Sequence, residues 1–300
     1  MERCAVRTAV ATIWTNPNSI REIDQPALRY PVEIRDWLKN LTYDQRLDLC
    51  TSNRAQTQVL FGQEVVKKSE RDGWAEVRVI DQPTIKSELG YPGWIPVKQL
   101  EAVPQMYETA PLAFVVSQTA WLYHMDHEKC MEISFQTRLP IIDSDATWVV
   151  VQTPIGKGRL KNEDIRVVYP NECISPESGE ELVQMGRQFL TLPYLWAGMS
   201  GFGFDCSGFV YQLHRAFGLT IPRDASEQAL QGVEVQPEDL QPGDLLYFAY
   251  EEGAGRVHHV AMYAGNGSMI HAPKTGKSVE EVEITGTYKK EHCLSRRYWT

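Results

Sequence analysis

The pattern of apolar and polar positions changes near residue 173. Before that point, short runs of β-branched and aromatic residues lie between turn signals, which is typical of strands. The clearest runs are 74–80 (WAEVRVI) and 147–153 (TWVVVQT). Apolar residues at helical spacing predict a helical interruption within this region, over about 32–49.

The strand-rich part contains a weak internal repeat. In the first copy, an apolar segment is followed by the turn at Gly73-Trp74 and closes with the sequence YPGWIP from Tyr91. In the second copy, a similar segment is followed by Trp148 and Gly156, without a closing tryptophan. Both copies resemble bacterial SH3-like domains, the first more closely. The alternative is that any small β-barrel has such turns.

After residue 173 the pattern predicts helices. Segment 180–189 has apolar residues on one face, and segment 206–217 is the strongest helix in the chain. Asp205 is placed to cap the start of that second helix, and Gly218 is placed to end it.

The remaining C-terminal segments predict a short helix followed by strands. Asp224 and Glu227 form a variant capping box for the helix. Strands are predicted at 245–250, 257–263 and 268–271, and an Asn-Gly turn joins the last two as a hairpin. Helices followed by antiparallel strands indicate an α+β arrangement.

Cys206 is the first candidate for chemistry, because it stands in the first turn of the strongest helix. The unpaired N–H groups and the positive end of the helix dipole favour a thiolate there, and they could also stabilise an oxyanion. The alternative is a buried structural cysteine, since free cysteines are often buried.

Two histidines could supply the base that a thiol nucleophile needs. His259 lies in one predicted strand of the hairpin and His271 lies in the other, so both side chains can share a face. His259 would then act as the base, with its ring held by His271. His258 is a rival, but adjacent strand residues point to opposite faces.

Several ordered motifs around these residues resemble the NlpC/P60 family of cysteine peptidases. Segment 204–209 (FDCSGF) matches the family's nucleophile motif, and 242–245 (PGDL) matches a later signature. Segment 259–263 (HVAMY) matches the histidine motif, and 270–272 (IHA) matches the third catalytic position. The resemblance covers about 175–300.

The resemblance implies a permuted papain-like fold that cleaves bonds to γ-D-glutamyl residues in murein peptides. It implies Cys206 as nucleophile, His259 as base in preference to His258, and His271 as third catalytic residue. Tyr194 matches the family tyrosine that lines the oxyanion site, although Ala197 replaces the more usual glycine nearby.

The combination of two SH3-like domains with such a catalytic domain resembles a subgroup that acts on free murein peptides. In that subgroup the first SH3-like domain narrows the cleft, so that the substrate must begin with a free L-alanine amine. Tyr91 is expected at that wall, with a barrel-core aromatic as the alternative. Asp205 is the first choice to receive the substrate ammonium, and Glu64 is weaker because Gln63 could occupy its position.

Two more residues are expected at the substrate site. Ser207 follows the nucleophile directly, and Asp224 belongs to segment 223–228 (RDASEQ), which resembles a family motif beside the cleft. The alternative for Asp224 is a plain helix cap.

Composition excludes several other functions. The net charge is −9 without a basic cluster, which disfavours nucleic-acid binding. No run reaches the roughly 18 apolar residues of a membrane span, and no secretory leader is visible, so a cytoplasmic protein is expected. The six cysteines are scattered, and cysteines and histidines lack zinc-site spacing, so neither a metal nor another cofactor is expected. The sequence identifies no protein partner.

We therefore expect an α+β protein in which two small SH3-like β-barrels precede a papain-like catalytic domain. The barrels are predicted at 1–108, with a helical insertion, and at 109–172, and the catalytic domain at 173–300. The expected reaction is hydrolysis of the γ-D-glutamyl–diamino acid bond in murein peptides with a free N-terminal L-alanine, which releases L-Ala-D-Glu during cell-wall peptide recycling.

Two alternatives to this function stay open at the level of sequence. One is a papain-like amidase or a hydrolase of intact peptidoglycan, with the same nucleophile and base. The other is a non-catalytic module that binds cell-wall peptides, which low thiol reactivity at neutral pH would favour. The sequence does not decide between lysine and diaminopimelate as the diamino acid.

Overall fold

The computed structural model describes residues 2–103 and 110–299, and the chain divides into two compact units. The predicted domain boundary between residues 108 and 109 lies outside the described residues. The first unit contains Met1–Asp81, Leu89–Glu172 and Ser200–Phe202, and the second contains Gln82–Glu88, Cys173–Met199 and Gly203–Thr300.

Fourteen strands of the first unit form two sheets. The first seven are β1 Glu2–Val6, β2 Val10–Trp14, β3 Ala55–Leu60, β4 Glu64–Arg71, β5 Trp74–Val79, β6 Tyr91–Pro96 and β7 Leu100–Ala102. The next seven are β8 Leu112–Val115, β9 Thr119–Tyr123, β10 Lys129–Ser134, β11 Arg138–Ser144, β12 Trp148–Thr153, β13 Gly156–Lys161 and β14 Ile165–Val168.

The two sheets have the same topology. The first has the order β3-β2-β6-β5-β4-β1-β7, and the second has the order β10-β9-β13-β12-β11-β8-β14. Adding seven to each strand number of the first order gives the second, and neighbouring strands are antiparallel throughout. Trp74 and Trp148 begin the corresponding strands β5 and β12. The internal repeat predicted from the sequence is thus confirmed.

Each repeat buries its own apolar core because alternate strand residues point inward. The first core includes Val65 and Val77, and the second includes Leu139 and Val151. Phe61, at the end of β3, packs into the second core.

The helical insertion between β2 and β3 contains three α-helices, and two of them, Ile34–Asn40 and Tyr43–Thr51, confirm the helical segment predicted over about 32–49. Thr42 interrupts it: its hydroxyl accepts a hydrogen bond from the Gln45 N–H, and the Gln45 side chain accepts one from the Thr42 N–H. This reciprocal capping box starts a new helix. The helices are α1 Gln25–Leu28, α2 Ile34–Asn40 and α3 Tyr43–Thr51.

The second unit combines helices with antiparallel strands, which confirms the α+β class. The helices are α4 Gly179–Arg187, α5 Cys206–Ala216, α6 Ala225–Gln228 and α7 Gly286–Glu291. Its strands are β16 Gly203–Phe204, β17 Val233–Glu234, β18 Leu245–Ala249, β19 Val257–Gly265, β20 Ser268–His271, β21 Glu280–Glu283 and β22 His292–Arg297, and β15 Met199–Ser200 lies where the chain passes from this unit to the first.

The larger sheet of this unit has the order β17-β22-β18-β19-β20-β21, and β15 pairs with β16. Short 3₁₀ helices occur in the chain at Pro17–Ser19, Glu22–Asp24, Val97–Gln99, Asn162–Asp164 and Pro237–Asp239. Within residues 2–103 and 110–299, no helix has the length and apolar character that crossing a membrane requires.

Helix α5 has the predicted start and end. The Asp205 carboxylate accepts a hydrogen bond from the Gly208 N–H at 2.7 Å, and Gly218 adopts a φ of +72° just after the helix. The residues after Cys206 are all buried through Ala216. Burial on all sides fixes the position of the first turn, where Cys206 lies.

The capping box predicted for α6 is wrong. Asp224 occupies the N-cap but makes no side-chain capping bond, and its carboxylate accepts a hydrogen bond from Lys86 Nζ at 2.7 Å. Glu227 accepts hydrogen bonds from the Thr84 hydroxyl and the Ile85 N–H. Donors in residues 82–88, far away in the sequence, therefore bind both carboxylates in place of the N–H groups at the start of α6.

Candidate active site

Cys206 is the first residue of α5 and is half-buried. Its neighbours Asp205 and Ser207 are 5% and 6% exposed. The chain passes so close to this turn that a Cβ atom at position 208 would lie 2.1 Å from the Gly198 carbonyl oxygen, which explains glycine there. The backbone position of Cys206 is therefore fixed.

Burial dominates the electrostatics of the thiol. Burial, followed by the negative charge of Asp205, raises the pKa of Cys206 to about 12. The N–H groups of Val260 and Ser207 and the charge of Arg223 oppose this shift only in part. The N–H groups at the helix start favour the thiolate, in the predicted direction, but burial of the sulfur outweighs them. Low reactivity of the free thiol is compatible with an active enzyme and does not favour a binding module.

His259 and His271 lie side by side, as the hairpin pattern predicted. Strands β19 and β20 pair antiparallel, and His259 Nε2 lies 2.7 Å from His271 Nδ1. The two side chains are 5% and 0% exposed. Burial lowers the pKa of His271 to about 4, and burial with the neighbouring histidines holds the pKa of His259 well below its usual value. Both imidazoles are thus neutral at pH 7.

His258 has different partners, in agreement with strand alternation. Its Nε2 lies 3.1 Å from a Glu291 carboxylate oxygen, and its ring stacks on Tyr250 at 4.1 Å. Because His258 is held by these groups, His259 is the histidine that forms the pair with His271.

Tyr288, on α7, was not predicted from the sequence. Its ring packs edge-on against His271 at 5.1 Å and also contacts His259 and Phe248. These contacts restrict the orientation of both imidazoles. No motif indicated Tyr288, because its position depends on how α7 folds back onto the sheet.

Arg223 is a second residue that sequence reasoning did not select. It is 1% exposed, and its Nη2 donates to Asp205 Oδ2 at 2.7 Å while its Nη1 donates to the Ser207 hydroxyl at 2.8 Å. The Arg223 N–H donates to the Pro83 carbonyl. Arg223 thus holds the residues on both sides of the nucleophile. The available signal was its place next to Asp224, in the segment expected beside the cleft.

Tyr194 and Ala197 lie in the loop before β15. Tyr194 is buried and bridges to Phe204, next to the cap of α5. Ala197 has a φ of +65°, a conformation that glycine adopts with less strain, which explains why glycine is more usual there.

Three of the predicted substrate residues have other partners or surroundings in their own units. Asp224 is paired with Lys86 in the second unit. In the first unit, Glu64 forms an ion pair with Arg3, and Tyr91 is buried in the core of the first repeat. The substrate-binding roles of these residues stay predictions.

Within residues 2–103 and 110–299, no group of three or more histidine, cysteine, aspartate or glutamate side chains is arranged to hold a metal ion.

Comparisons with known proteins agree with this geometry. The NlpC/P60 family matches residues 191–298, and the YKFC SH3b2 domain matches residues 115–168. The chain is 47% identical to the gamma-D-glutamyl-L-lysine dipeptidyl-peptidase of Bacillus subtilis over 97% of each chain. It is 42% identical to the protein of the same name from Bacillus cereus, over 98% of this chain and 90% of the relative. A crystal structure of an NlpC/P60 family protein from Bacillus cereus covers the whole of both chains at 41% identity, with a TM-score of 0.95.

The buried Arg223–Asp205 pair should contribute more to stability than the more exposed Lys86–Asp224 pair. Arg223→Met leaves the Asp205 charge buried without its partner, so we expect the α5 segment to lose about 3–5 kcal/mol of stability. Lys86→Met is the matched control and should cost about 0–1 kcal/mol. Hydrogen exchange of the α5 amides measures both losses. Equal losses would contradict the assigned importance of Arg223.

Proposed function

The chain belongs to the NlpC/P60 family of cysteine peptidases, and from that membership we propose that it hydrolyses γ-D-glutamyl-L-lysine bonds in murein peptides with a free N-terminal L-alanine. The products are L-Ala-D-Glu and the fragment that begins with lysine. The names of the two Bacillus relatives support lysine as the diamino acid. The observation that carries the proposal is the 2.7 Å contact between His259 and His271, with the Val260 N–H directed to the Cys206 thiol.

The first step is attack by Cys206 on the γ-glutamyl carbonyl. His259 takes the thiol proton on Nδ1, because its Nε2 faces His271. Burial disfavours either charge alone, but the transfer creates a thiolate and an imidazolium together, and each stabilises the other. Proton transfer therefore accompanies attack.

The second step releases the lysine amine. His259 returns the proton to that nitrogen, and the γ-glutamyl group remains bound to the sulfur as a thioester. Water, deprotonated by His259, then attacks the thioester carbonyl and releases L-Ala-D-Glu with the free thiol restored.

Asp205 is proposed to receive the ammonium of the substrate's L-alanine. Its carboxylate already accepts hydrogen bonds from Gly208, Ser207 and Arg223. A substrate ammonium nearby would add positive charge beside a carboxylate that otherwise disfavours the thiolate of Cys206. Binding of the correct amino end would thus assist activation of the nucleophile.

We propose that the biological setting is recycling of released peptides in the cytoplasm. A peptide still attached to the wall has its alanine acylated by muramic acid, so it lacks the ammonium. A site that requires the ammonium selects released fragments.

The catalytic roles predict a ranked series of variants. Cys206→Ala should lower kcat at least ~10³-fold without unfolding, because the buried face of α5 is unchanged. His259→Ala should have nearly the same effect, and His271→Ala a smaller one. His258→Ala is the matched control and should be mild. Steady-state hydrolysis of L-Ala-γ-D-Glu-L-Lys measures the series, and a mild His259→Ala with a severe His258→Ala would contradict the assignment.

The free-amine requirement predicts a difference between two substrates. N-acetylation removes the charge and adds bulk, which should cost on the order of 2–5 kcal/mol of transition-state binding. We therefore expect N-acetyl-L-Ala-γ-D-Glu-L-Lys to be cut at least ~30-fold more slowly than the free tripeptide. Mass spectrometry of the products measures both rates. Equal rates would contradict the recycling role and favour hydrolysis of intact wall.

A further inference from the structure

The outer nitrogen of His271 faces an acidic side chain that no motif indicated. Register pairs His271 on β20 with Glu280 on β21, and His271 Nε2 lies 3.6 Å from Glu280 Oε1. This nitrogen is buried and has no hydrogen-bond partner among the described residues. The distance exceeds a hydrogen bond, but catalytic contacts are often long in the free enzyme and tighten when substrate binds.

The positions of the protons on the two histidines determine whether this nitrogen carries a proton. To accept the thiol proton on Nδ1, His259 must carry its own proton on Nε2. That N–H then donates to His271 Nδ1, 2.7 Å away. His271 Nδ1 must therefore be unprotonated, which places the His271 proton on Nε2, the nitrogen that faces Glu280.

We propose that Glu280 is a positioning residue that selects the catalytically competent tautomer of both histidines. Its carboxylate, 3.6 Å from Nε2, attracts the His271 proton to that nitrogen and so keeps His271 Nδ1 free to accept from His259. Without this acceptor, His271 can carry its proton on Nδ1 instead. His259 would then be protonated on Nδ1 and could not take the thiol proton. The inference rests on the proposed role of His259 as base.

The surroundings single out Glu280 among the charged groups near His271. Glu281 points to the other face of β21 and pairs with Arg187 of α4 at 2.9 Å. Among the described residues, the titratable groups in ring contact with His271 are His259 on β19 and Tyr288 on α7. Burial, followed by the charges of Glu280 and Glu291, raises the pKa of Tyr288, so the phenol is neutral at pH 7. Glu280 is 37% exposed, so its carboxylate reaches the buried ring of His271 while it stays in contact with solvent.

The tautomer of His271 can be measured without substrate. In protein labelled with ¹⁵N-histidine, long-range ¹H–¹⁵N correlation spectra distinguish an Nε2–H ring from an Nδ1–H ring, and His271→Gln assigns the signal. We expect Nε2–H in the wild type and a shift toward Nδ1–H in Glu280→Ala. Glu280→Gln should keep the wild-type tautomer in larger part, because its amide oxygen can still accept.

Steady-state kinetics of the Glu280 variants provide a second test. Glu280→Ala should lower kcat by ~10-fold, the effect typical of an orienting partner, while KM changes little because Glu280 does not touch substrate. Glu280→Gln should recover part of kcat. Glu283→Ala, which removes a charge from the same strand, is the matched control and should change neither tautomer nor kcat.

The spectra and the kinetics can each overturn the proposed role of Glu280. An Nδ1–H tautomer in the wild type, or an unchanged tautomer in Glu280→Ala, would overturn the proposal whatever the activity. An unchanged kcat in Glu280→Ala would also overturn it. If the wild type did not cleave the tripeptide at all, the proposed function would fail, and the spectra would still decide the role of Glu280.

Discussion

Burial of the catalytic groups is the constraint on which the rest of the site depends. His259 and His271 are almost fully buried, and burial keeps both rings neutral and the Cys206 thiol protonated in the free protein. With both rings neutral, His259 can accept the proton of Cys206 only if each ring carries its own proton on the correct nitrogen. The contacts of His271 therefore matter as much as its position.

The buried ion pair between Asp205 and Arg223 reduces a second effect that opposes catalysis, the negative charge of Asp205 beside the thiol. Asp205 caps α5 and so fixes the nucleophile, but its negative charge opposes formation of the thiolate. Arg223 compensates that charge and also binds Ser207, so one cation stabilises the helix start and reduces the electrostatic cost of catalysis. Because the Arg223 main chain is held by Pro83, a segment far away in sequence takes part in this arrangement.

The sequence predicted features that depend on neighbouring residues better than features that depend on contacts between distant parts of the chain. Helix α5, its cap at Asp205, and the strands that carry His259 and His271 follow from periodicity and turn chemistry, and the matching sheet orders confirm the repeat. The capping box at Asp224 was wrong, because Lys86 donates a competing hydrogen bond to its carboxylate. Arg223, Glu280 and Tyr288 were missed, since the tertiary fold, not spacing, brings them to the site. The effect of burial on the pKa of Cys206 was missed for the same reason, because the position in a helix is visible in the sequence and the burial of the sulfur is not.

The ionisation of Cys206 in the free protein tests this account most directly. Thiolates absorb in the ultraviolet where thiols do not, so the difference between wild type and Cys206→Ala, followed against pH without substrate, isolates this sulfur from the other cysteines. We expect no thiolate signal from Cys206 at neutral pH and its appearance only in the alkaline range, because burial outweighs the helix terminus. A thiolate signal already present at neutral pH would show that a charged thiolate–imidazolium pair exists before substrate binds, and would contradict the claim that burial keeps the resting site uncharged.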